Sequence, residues 1–202
     1  MHDAAIGVAT QETFPSFGYW LMQGATSCWE NWSGVSDDAH PPQPTHNHIF
    51  LCGGVGEWMY THLSGISSPT EPGYKKVIIS PRISLQNGPG ESRVTFDSPY
   101  GSILSTWKRR VSTDENFGFN ISATFPKAGA LEIHLGLLCS GKAIKECYES
   151  AILTEGTEII WKNGEYIPAV RGILHVELNK RADLLIVSVA RGRFDFGLTL
   201  KS

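Results

Sequence analysis

A single glutamate beside two tryptophans is the pattern in this sequence best suited to chemistry. Residues 24–32 read GATSCWENW, so Glu30 follows Trp29 directly and precedes Trp32 by two positions. Indole rings stack on the apolar C–H faces of a pyranose, and a carboxylate beside them can take or give a proton. A surface glutamate next to two core tryptophans fits the same pattern, because tryptophan is part-buried in most folds. The local sequence leaves both interpretations open.

The other carboxylates and histidines of this region are weaker candidates for chemistry. Asp37 and Asp38 lie in a proline-rich loop, where aspartate is typical of solvated turns. Three histidines lie around the same prolines: His40, His46 and His48. Their spacing is irregular, whereas zinc sites use short, regular ligand spacings. We therefore predict no metal ligand and no cofactor.

The composition is that of an ordinary globular protein and excludes two classes of partner. The 202 residues are 41% hydrophobic and 18% charged, with a net charge of −3. A nucleic-acid surface needs a basic excess and a membrane span needs about 18 consecutive apolar residues, so we predict neither partner. The N-terminal residues lack the basic start and apolar core of a signal peptide, which leaves the compartment unassigned. The chain begins inside a helical pattern without a capping residue, which indicates a truncated product.

The cysteines do not decide the redox environment. The sequence contains four, none of them in a CxxC pair: Cys28, Cys52, Cys139 and Cys147. Cys139 and Cys147 are close enough for a small disulfide loop, and two reduced thiols fit equally well.

Helical signals are confined to the first third of the chain. A short helix is predicted over residues 3–12, and Pro15 prevents its continuation. A second helix begins at Asn47 as its N-cap, and apolar residues then recur at spacings of three and four as far as Leu63. Three glycines within it each cost about 1 kcal/mol relative to alanine. This helix therefore needs tertiary support, and its glycines would let another helix approach closely.

The chain after residue 74 has the signals of short strands. Nine are predicted, over residues 76–80, 93–97, 102–108, 118–125, 131–138, 158–162, 172–178, 184–189 and 193–198. Asn163 and Gly164 form a hairpin turn signal between Ile159-Ile160-Trp161 and Tyr166. Many short strands at this spacing are typical of an antiparallel sandwich.

Several short segments, in a fixed order, resemble one family of proteins. They are FPSFGY (14–19), QGAT (23–26), WENW (29–32), NH (47–48), GEW (56–58), LSGI (63–66), PGYK (72–75), IISP (78–81), DSPYG (97–101), STWK (105–108) and GRFDF (192–196). In order and approximate spacing they resemble the C-terminal end of the bacterial-type α-L-rhamnosidases, family 78 of the glycoside hydrolases. The likeness covers nearly the whole chain.

The resemblance implies an α+β chain in two parts. Residues 1–68 would be the last helices of an (α/α)6 six-hairpin barrel, whose hairpins surround a sugar pocket. Residues 69–202 would be the antiparallel β-sandwich that follows this barrel. Close packing of barrel helices would explain the glycine-rich helix.

The resemblance also implies an inverting glycosidase and assigns residues to it. Inverting enzymes use two carboxyl groups on opposite faces of the sugar, one as acid and one as base. The glutamate of the WENW segment, Glu30, would be the general base. His48, Asn47 and Trp29 would contact a rhamnose-containing glycoside or polysaccharide, although a solvated histidine at a helix start fits His48 equally well. Glu57, in the GEW segment, is predicted to form a structural pairing.

The implied site lacks its general acid. In the family this carboxyl lies on an earlier part of the barrel, so the missing N-terminal part of the barrel is an expected partner and the chain alone is predicted to be inactive. A non-catalytic β-sandwich that binds carbohydrate or protein is the competing hypothesis. It would need an exposed aromatic platform, for which Trp107 and Trp161 are the candidates, although both lie in strand patterns typical of a core.

Overall fold

Helices followed by strands make up this protein, as the sequence predicts. The computed structural model describes residues 2–34, 45–84, 88–111, 117–125, 130–136, 150–179 and 184–200. The chain divides into two units. The helical unit comprises residues 1–58 with 84–88, and the sheet unit comprises residues 59–83 with 89–202.

Two short helices open the helical unit. Helix α1 spans His2–Thr10 and helix α2 spans Phe17–Met22. The hydroxyl oxygen of Ser16 accepts a hydrogen bond from the backbone N–H of Tyr19 at 2.9 Å, which caps α2. Helix α1 corresponds to the predicted first helix, whereas α2, with only six residues, is too short for its periodicity to be recognised.

The predicted glycine-rich helix is present but changes its winding twice. A 3₁₀ turn spans Ile49–Cys52, helix α3 spans Gly53–Trp58, and a π-helical turn spans Met59–Leu63. Glycine stabilises an α-helix poorly, which explains the short regular part. A Cβ atom added at any of the three glycines would meet no atom within 4 Å, so no described residue packs against them: Gly53, Gly54 and Gly56.

Twelve strands are found in the described residues of the sheet unit. They are β1 (Ile66–Ser67), β2 (Lys76–Ile79), β3 (Glu91–Ser98), β4 (Gly101–Val111), β5 (Phe117–Phe125), β6 (Ala130–Gly136), β7 (Ile152–Glu155), β8 (Glu158–Lys162), β9 (Glu165–Tyr166), β10 (Ile173–Asn179), β11 (Leu184–Val189) and β12 (Gly192–Leu200). All nine predicted strands are present, with ends that differ by up to three residues, and β1, β7 and β9 are additional. The turn between β8 and β9 is the predicted hairpin, and both of its central residues have positive φ: Asn163 and Gly164.

The described strands form two sheets. The five-stranded sheet has the order β1-β2-β6-β11-β10, and the seven-stranded sheet has the order β3-β4-β5-β12-β7-β8-β9. All neighbouring strands are antiparallel except β2 and β6, which are parallel. Both sheets contribute to one hydrophobic core. Trp107 and Trp161 belong to this core, with 1% and 4% of their surface exposed.

No helix among the described residues is both long and apolar enough to cross a membrane.

Candidate functional site

Glu30 lines a small pocket in the helical unit. The pocket has a volume of about 300 Å³, and its walls are mainly aromatic: Phe17, Trp20, Asn31 and Trp32. Glu30 itself is exposed. The pocket therefore combines a solvent-accessible carboxylate with ring surfaces.

Three aromatic side chains pack together to form the pocket wall. The ring centroids of Trp20 and Trp32 lie 4.6 Å apart, and Phe17 contacts both rings edge-on at 5.5 and 5.4 Å. The indole N–H of Trp20 donates to the backbone carbonyl of Trp32 at 2.9 Å, which fixes this segment against α2. Trp20 is 5% exposed, whereas Trp32 is 39% exposed and so presents ring surface to solvent.

Trp29 faces away from this pocket. It is 8% exposed and stacks on the imidazole of His46, with ring centroids 4.7 Å apart. A Cβ atom at Gly34 would lie 2.0 Å from the indole ring, so only glycine lets the backbone approach this closely. The structure thus places Trp29 in the small core of the helical unit, beside the pocket rather than in its lining.

A backbone pairing holds the Glu30 carboxylate in place. The N–H of Glu30 donates to the carbonyl of Thr45, and the N–H of Thr45 donates to Oε2 of Glu30, both at 2.9 Å. Oε1 of Glu30 accepts no hydrogen bond from a described residue. One carboxylate oxygen, Oε2, is therefore fixed by the backbone of Thr45.

The same pairing brings the Asn47-His48 pair to the Glu30 segment. The backbone N–H of His48 donates to the carbonyl of Cys28 at 2.6 Å, and the hydroxyl of Ser27 donates to Oδ1 of Asn47 at 2.8 Å. Glu30, Asn47 and His48, separated by up to 18 residues in the sequence, thus come from two adjacent segments.

His48 has an unsatisfied ring nitrogen. Its Nδ1 atom is buried and has no hydrogen-bond partner among the described residues. The imidazole meets the ring of Phe50 edge-on at 5.9 Å. An unpaired buried nitrogen is energetically costly, so this atom is under-satisfied in the described part of the chain.

A disulfide bond joins the two segments, and sequence reasoning did not find it. Cys28 and Cys52 are bonded, with Cα atoms 6.1 Å apart. The sequence offered no pairing signal for cysteines 24 residues apart outside a CxxC motif. The other possible pair, Cys139 and Cys147, lies outside the described residues.

No second carboxylate from the described residues lines the Glu30 pocket. Asp37, Asp38 and His40 lie outside the described residues. Glu57 is exposed on α3. Among the described residues, Glu30 is thus the one carboxylate that lines this pocket.

Comparisons with known proteins connect both units to one family. The family model for the bacterial alpha-L-rhamnosidase six-hairpin glycosidase domain matches residues 1–63. The model for the bacterial alpha-L-rhamnosidase C-terminal domain matches residues 65–140. The two matches together cover more than half of the chain.

Individual proteins agree with these matches. The α-L-rhamnosidase of Streptomyces avermitilis is 34% identical over 138 residues, which is 65% of this chain and 12% of the relative. That of Formosa agariphila is 35% identical over 105 residues, which is 50% of this chain and 11% of the relative. The chain therefore spans about one tenth of the length of these curated relatives.

A solved structure shares the fold. The α-L-rhamnosidase from Dictyoglumus thermophilum superimposes with a TM-score of 0.70 at 24% identity. The superposition covers 98% of this chain and 18% of that one.

Proposed function

This chain belongs to the bacterial α-L-rhamnosidases, and from that premise we propose that it supplies part of an inverting glycosidase that hydrolyses terminal α-L-rhamnosyl linkages. The proposed substrates are rhamnose-containing glycosides or polysaccharides. The observation that carries the proposal is the exposed carboxylate of Glu30 in an aromatic pocket, with one oxygen fixed by a backbone N–H.

Glu30 acts as the general base in this proposal. Thr45 holds Oε2, so Oε1 is oriented to accept a proton from a water molecule. The water oxygen then attacks the anomeric carbon from the face opposite the leaving group, and the bond to the aglycone oxygen breaks with inversion. Protonation of that oxygen requires a second carboxyl group about 6.5–9.5 Å from Glu30.

The neighbouring residues bind the sugar. In this proposal His48 and Asn47 contact sugar hydroxyls; both lie on the segment that pairs with the Glu30 segment, outside the lining of the pocket. Trp32 presents a ring face for stacking on the pyranose. Trp29, predicted from the sequence to contact the substrate, serves the site by holding His46 and the Glu30 segment in position.

The proposed site is completed by further hairpins of the six-hairpin domain. An apolar groove of about 480 Å³ on the helical unit is lined mainly by small and aromatic side chains, among them Ala4, Val8, Val55 and Trp58. The glycines of α3 also lack a packing partner among the described residues. We propose that those hairpins cover these surfaces and contribute the general acid, so that the 202-residue chain has no activity alone.

Complementation of a relative tests this proposal. The chain would replace the matching segment of the Streptomyces avermitilis α-L-rhamnosidase, and release of 4-nitrophenol from its α-L-rhamnoside would be measured. We expect turnover by the chimera and none by the chain alone. Glu30→Gln should lower kcat of the chimera by about 10³-fold with little change in KM, because a base acts in the transition state.

Glu12→Gln is the matched control, since Glu12 is also exposed and lies outside the pocket. It should leave kcat unchanged. A folded chimera whose kcat survives Glu30→Gln would refute the role of Glu30. Turnover by the isolated chain would refute its incompleteness.

The competing hypothesis is a β-sandwich that binds ligands through exposed tryptophans, but neither candidate tryptophan is exposed. Trp107 and Trp161 are buried in the core of the sheet unit.

A further inference from the structure

A polar groove crosses the outward face of the seven-stranded sheet. The even-numbered residues 194–200 of β12 are buried in the core, so its odd-numbered residues face the other way. Residues from the neighbouring strands β4, β5 and β7 complete a groove of about 460 Å³. Its polar lining residues are Arg110, Asn120, Ser122, Thr154, Asp195 and Thr199.

Gly197 forms the floor at the centre of the groove. It pairs with Asn120 on one side and Thr154 on the other. A Cβ atom at this position would lie 2.9 Å from Oγ1 of Thr154 and 3.5 Å from Oδ1 of Asn120. Glycine weakens the interior of a strand and commonly marks a place where another group approaches the backbone. Here it leaves open the space between two hydrogen-bonding side chains.

Several polar groups in the groove have hydrogen-bonding capacity to spare. Asn120 is exposed, and its amide makes no hydrogen bond with a described residue. The hydroxyl of Thr154 donates to the carbonyl of Gly197 only at 3.4 Å, which is a long bond. Ser122 lies opposite Asp195 in the register, so a hydroxyl and a carboxylate are adjacent at one end.

The two ends of the groove carry side chains of opposite charge. The Arg110 guanidinium donates to the carbonyl of Leu198 at 3.2 Å at one end. The carboxylate of Asp195 lies 3.5 Å from the guanidinium of Arg193 at the other. Thr199 and Asp195 are four positions apart on β12, a span of roughly 13 Å. The lining thus carries one guanidinium and one carboxylate and has no net charge, so a charged ligand would gain no net attraction from it.

We propose that this groove binds a neutral glycosyl unit, a hexose or 6-deoxyhexose, as a carbohydrate site separate from the Glu30 pocket. Sugar hydroxyls donate and accept at once, which matches a lining that mixes a guanidinium, an amide, hydroxyls and a carboxylate. The aromatic residue in the lining, Phe196, is 2% exposed and provides no stacking face. The dissociation constant is therefore on the order of millimolar.

Nuclear magnetic resonance titration of the whole 202-residue chain tests the proposal. Methyl α-L-rhamnopyranoside and methyl α-D-glucopyranoside are the neutral probes, and D-glucuronate is the anionic probe. We expect saturable shifts of the backbone amides of residues 118–122, 154–156 and 195–199 with at least one neutral probe, and weaker binding of the anion. Asn120→Ala should raise the dissociation constant roughly three- to tenfold, as expected for one lost hydrogen bond.

Gly197→Ala fills the floor of the groove without removing a polar group. It should weaken sugar binding at least as much as Asn120→Ala does. Thr95→Ala is the matched control, because Thr95 is an exposed residue of β3. It lies on the same outward face of the seven-stranded sheet, outside the groove. Glu30→Gln should leave these shifts intact, so the outcome is independent of the proposed hydrolysis. Absence of saturable shifts in the groove with both neutral probes would overturn the proposal. So would binding that persists unchanged in folded Asn120→Ala and Gly197→Ala.

Discussion

Trp29 and Trp32 flank the same glutamate, yet the fold gives them different surroundings. Trp29 is enclosed by His46 and the backbone of Gly34, whereas Trp32 keeps 39% of its surface exposed in the pocket wall. The sequence spacing treats the two rings alike. Their burial differs: Trp29 is 8% exposed, whereas Trp32 has accessible ring surface, which in our proposal contacts the sugar.

Alanine at each of these positions should therefore have a different effect. Trp29→Ala should destabilise the helical unit by about 3–5 kcal/mol, because a buried ring is lost and a cavity remains. Trp32→Ala should keep the chimera folded and raise KM about tenfold, since a partly exposed stacking face is removed. Urea denaturation followed by circular dichroism, with steady-state kinetics, separates the two effects. Equal loss of stability in both variants would contradict this assignment.

A charged cluster on the five-stranded sheet gives the sheet unit a pH response. Glu132 lies 2.8 Å from the ammonium of Lys76 and 2.8 Å from Nε2 of His134. Partial burial alone would raise the pKa of Glu132, but hydrogen bonds from Lys76 and His134 and their positive charges lower it below the usual 4.5. The ionised carboxylate is thus stabilised in the folded state.

Replacement of Glu132 by glutamine should destabilise the sheet unit most at neutral pH. A carboxyl whose pKa is lower in the folded state contributes stability above its unfolded pKa and loses it as the pH falls through the folded pKa. The difference between wild type and Glu132→Gln should therefore be present above pH 4.5 and shrink as the pH falls below about 4.5. Urea denaturation from pH 7 to 3 measures it. Glu165→Gln, at an exposed position on β9, is the control, and a difference that grows as the pH falls below about 4.5 would contradict the prediction.

At the scale of elements, the two segments that carry the site are joined by pairing and by a covalent bond. Backbone hydrogen bonds link Glu30 to Thr45 and Cys28 to His48, and the Cys28–Cys52 disulfide closes the loop between them. Neither segment belongs to a long helix. The disulfide and these hydrogen bonds therefore hold the Glu30 segment in position, as helix packing would elsewhere.

Loss of this disulfide should loosen the helical unit. A closed loop of this size stabilises a fold by about 3 kcal/mol, chiefly by restricting the unfolded chain. Cys28→Ser in a Cys139→Ser/Cys147→Ser background should lower the denaturation midpoint reported by tryptophan fluorescence. Cys52→Ser and the Cys28/Cys52 double variant should give the same loss, because each removes the one bond. Additive losses in the double variant would show that the two thiols act independently.

At the scale of the whole molecule, the two units differ in how much core each has. Among the described residues, the cluster of the sheet unit contains 25 buried residues, from Ile66 to Leu200. The cluster of the helical unit contains three, counted over the same described part of the chain: Trp20, Cys28 and Trp29. Stability of an element depends on the apolar surface that it buries, so the two units should open independently and at different cost.

Hydrogen exchange should reveal this difference directly. In the isolated chain, amides of β5, β11 and β12 should exchange at least 100-fold more slowly than those of α2 and α3, because the helices lack a comparable core. In the chimera, protection of α2 and α3 should rise while that of the strands stays constant. Mass spectrometry of peptic fragments measures both. Equal protection of helices and strands in the isolated chain would contradict an incomplete helical unit.

Local sequence determined the order of elements and the candidate chemistry. Alternation and turn residues predict nine strands because these signals act within a few neighbouring residues, as at Asn163-Gly164. The WENW segment pointed to Glu30 in the same local way, because each segment that resembles the family is a short run of consecutive residues. Strand β7 was not predicted, because its sequence, ILTE, shows no alternation of apolar and polar residues.

Tertiary structure decided everything that depends on residues far apart in the sequence. It paired Cys28 with Cys52, brought Thr45 to the Glu30 carboxylate, and exposed Trp32 while burying Trp29. It also assembled the groove around Gly197 from lining residues of β4, β5, β7 and β12, which span about 90 residues of the sequence. Burial and long-range pairing follow from packing of the whole chain, which no local pattern encodes, whereas the periodicity that builds each strand is local and can be read directly.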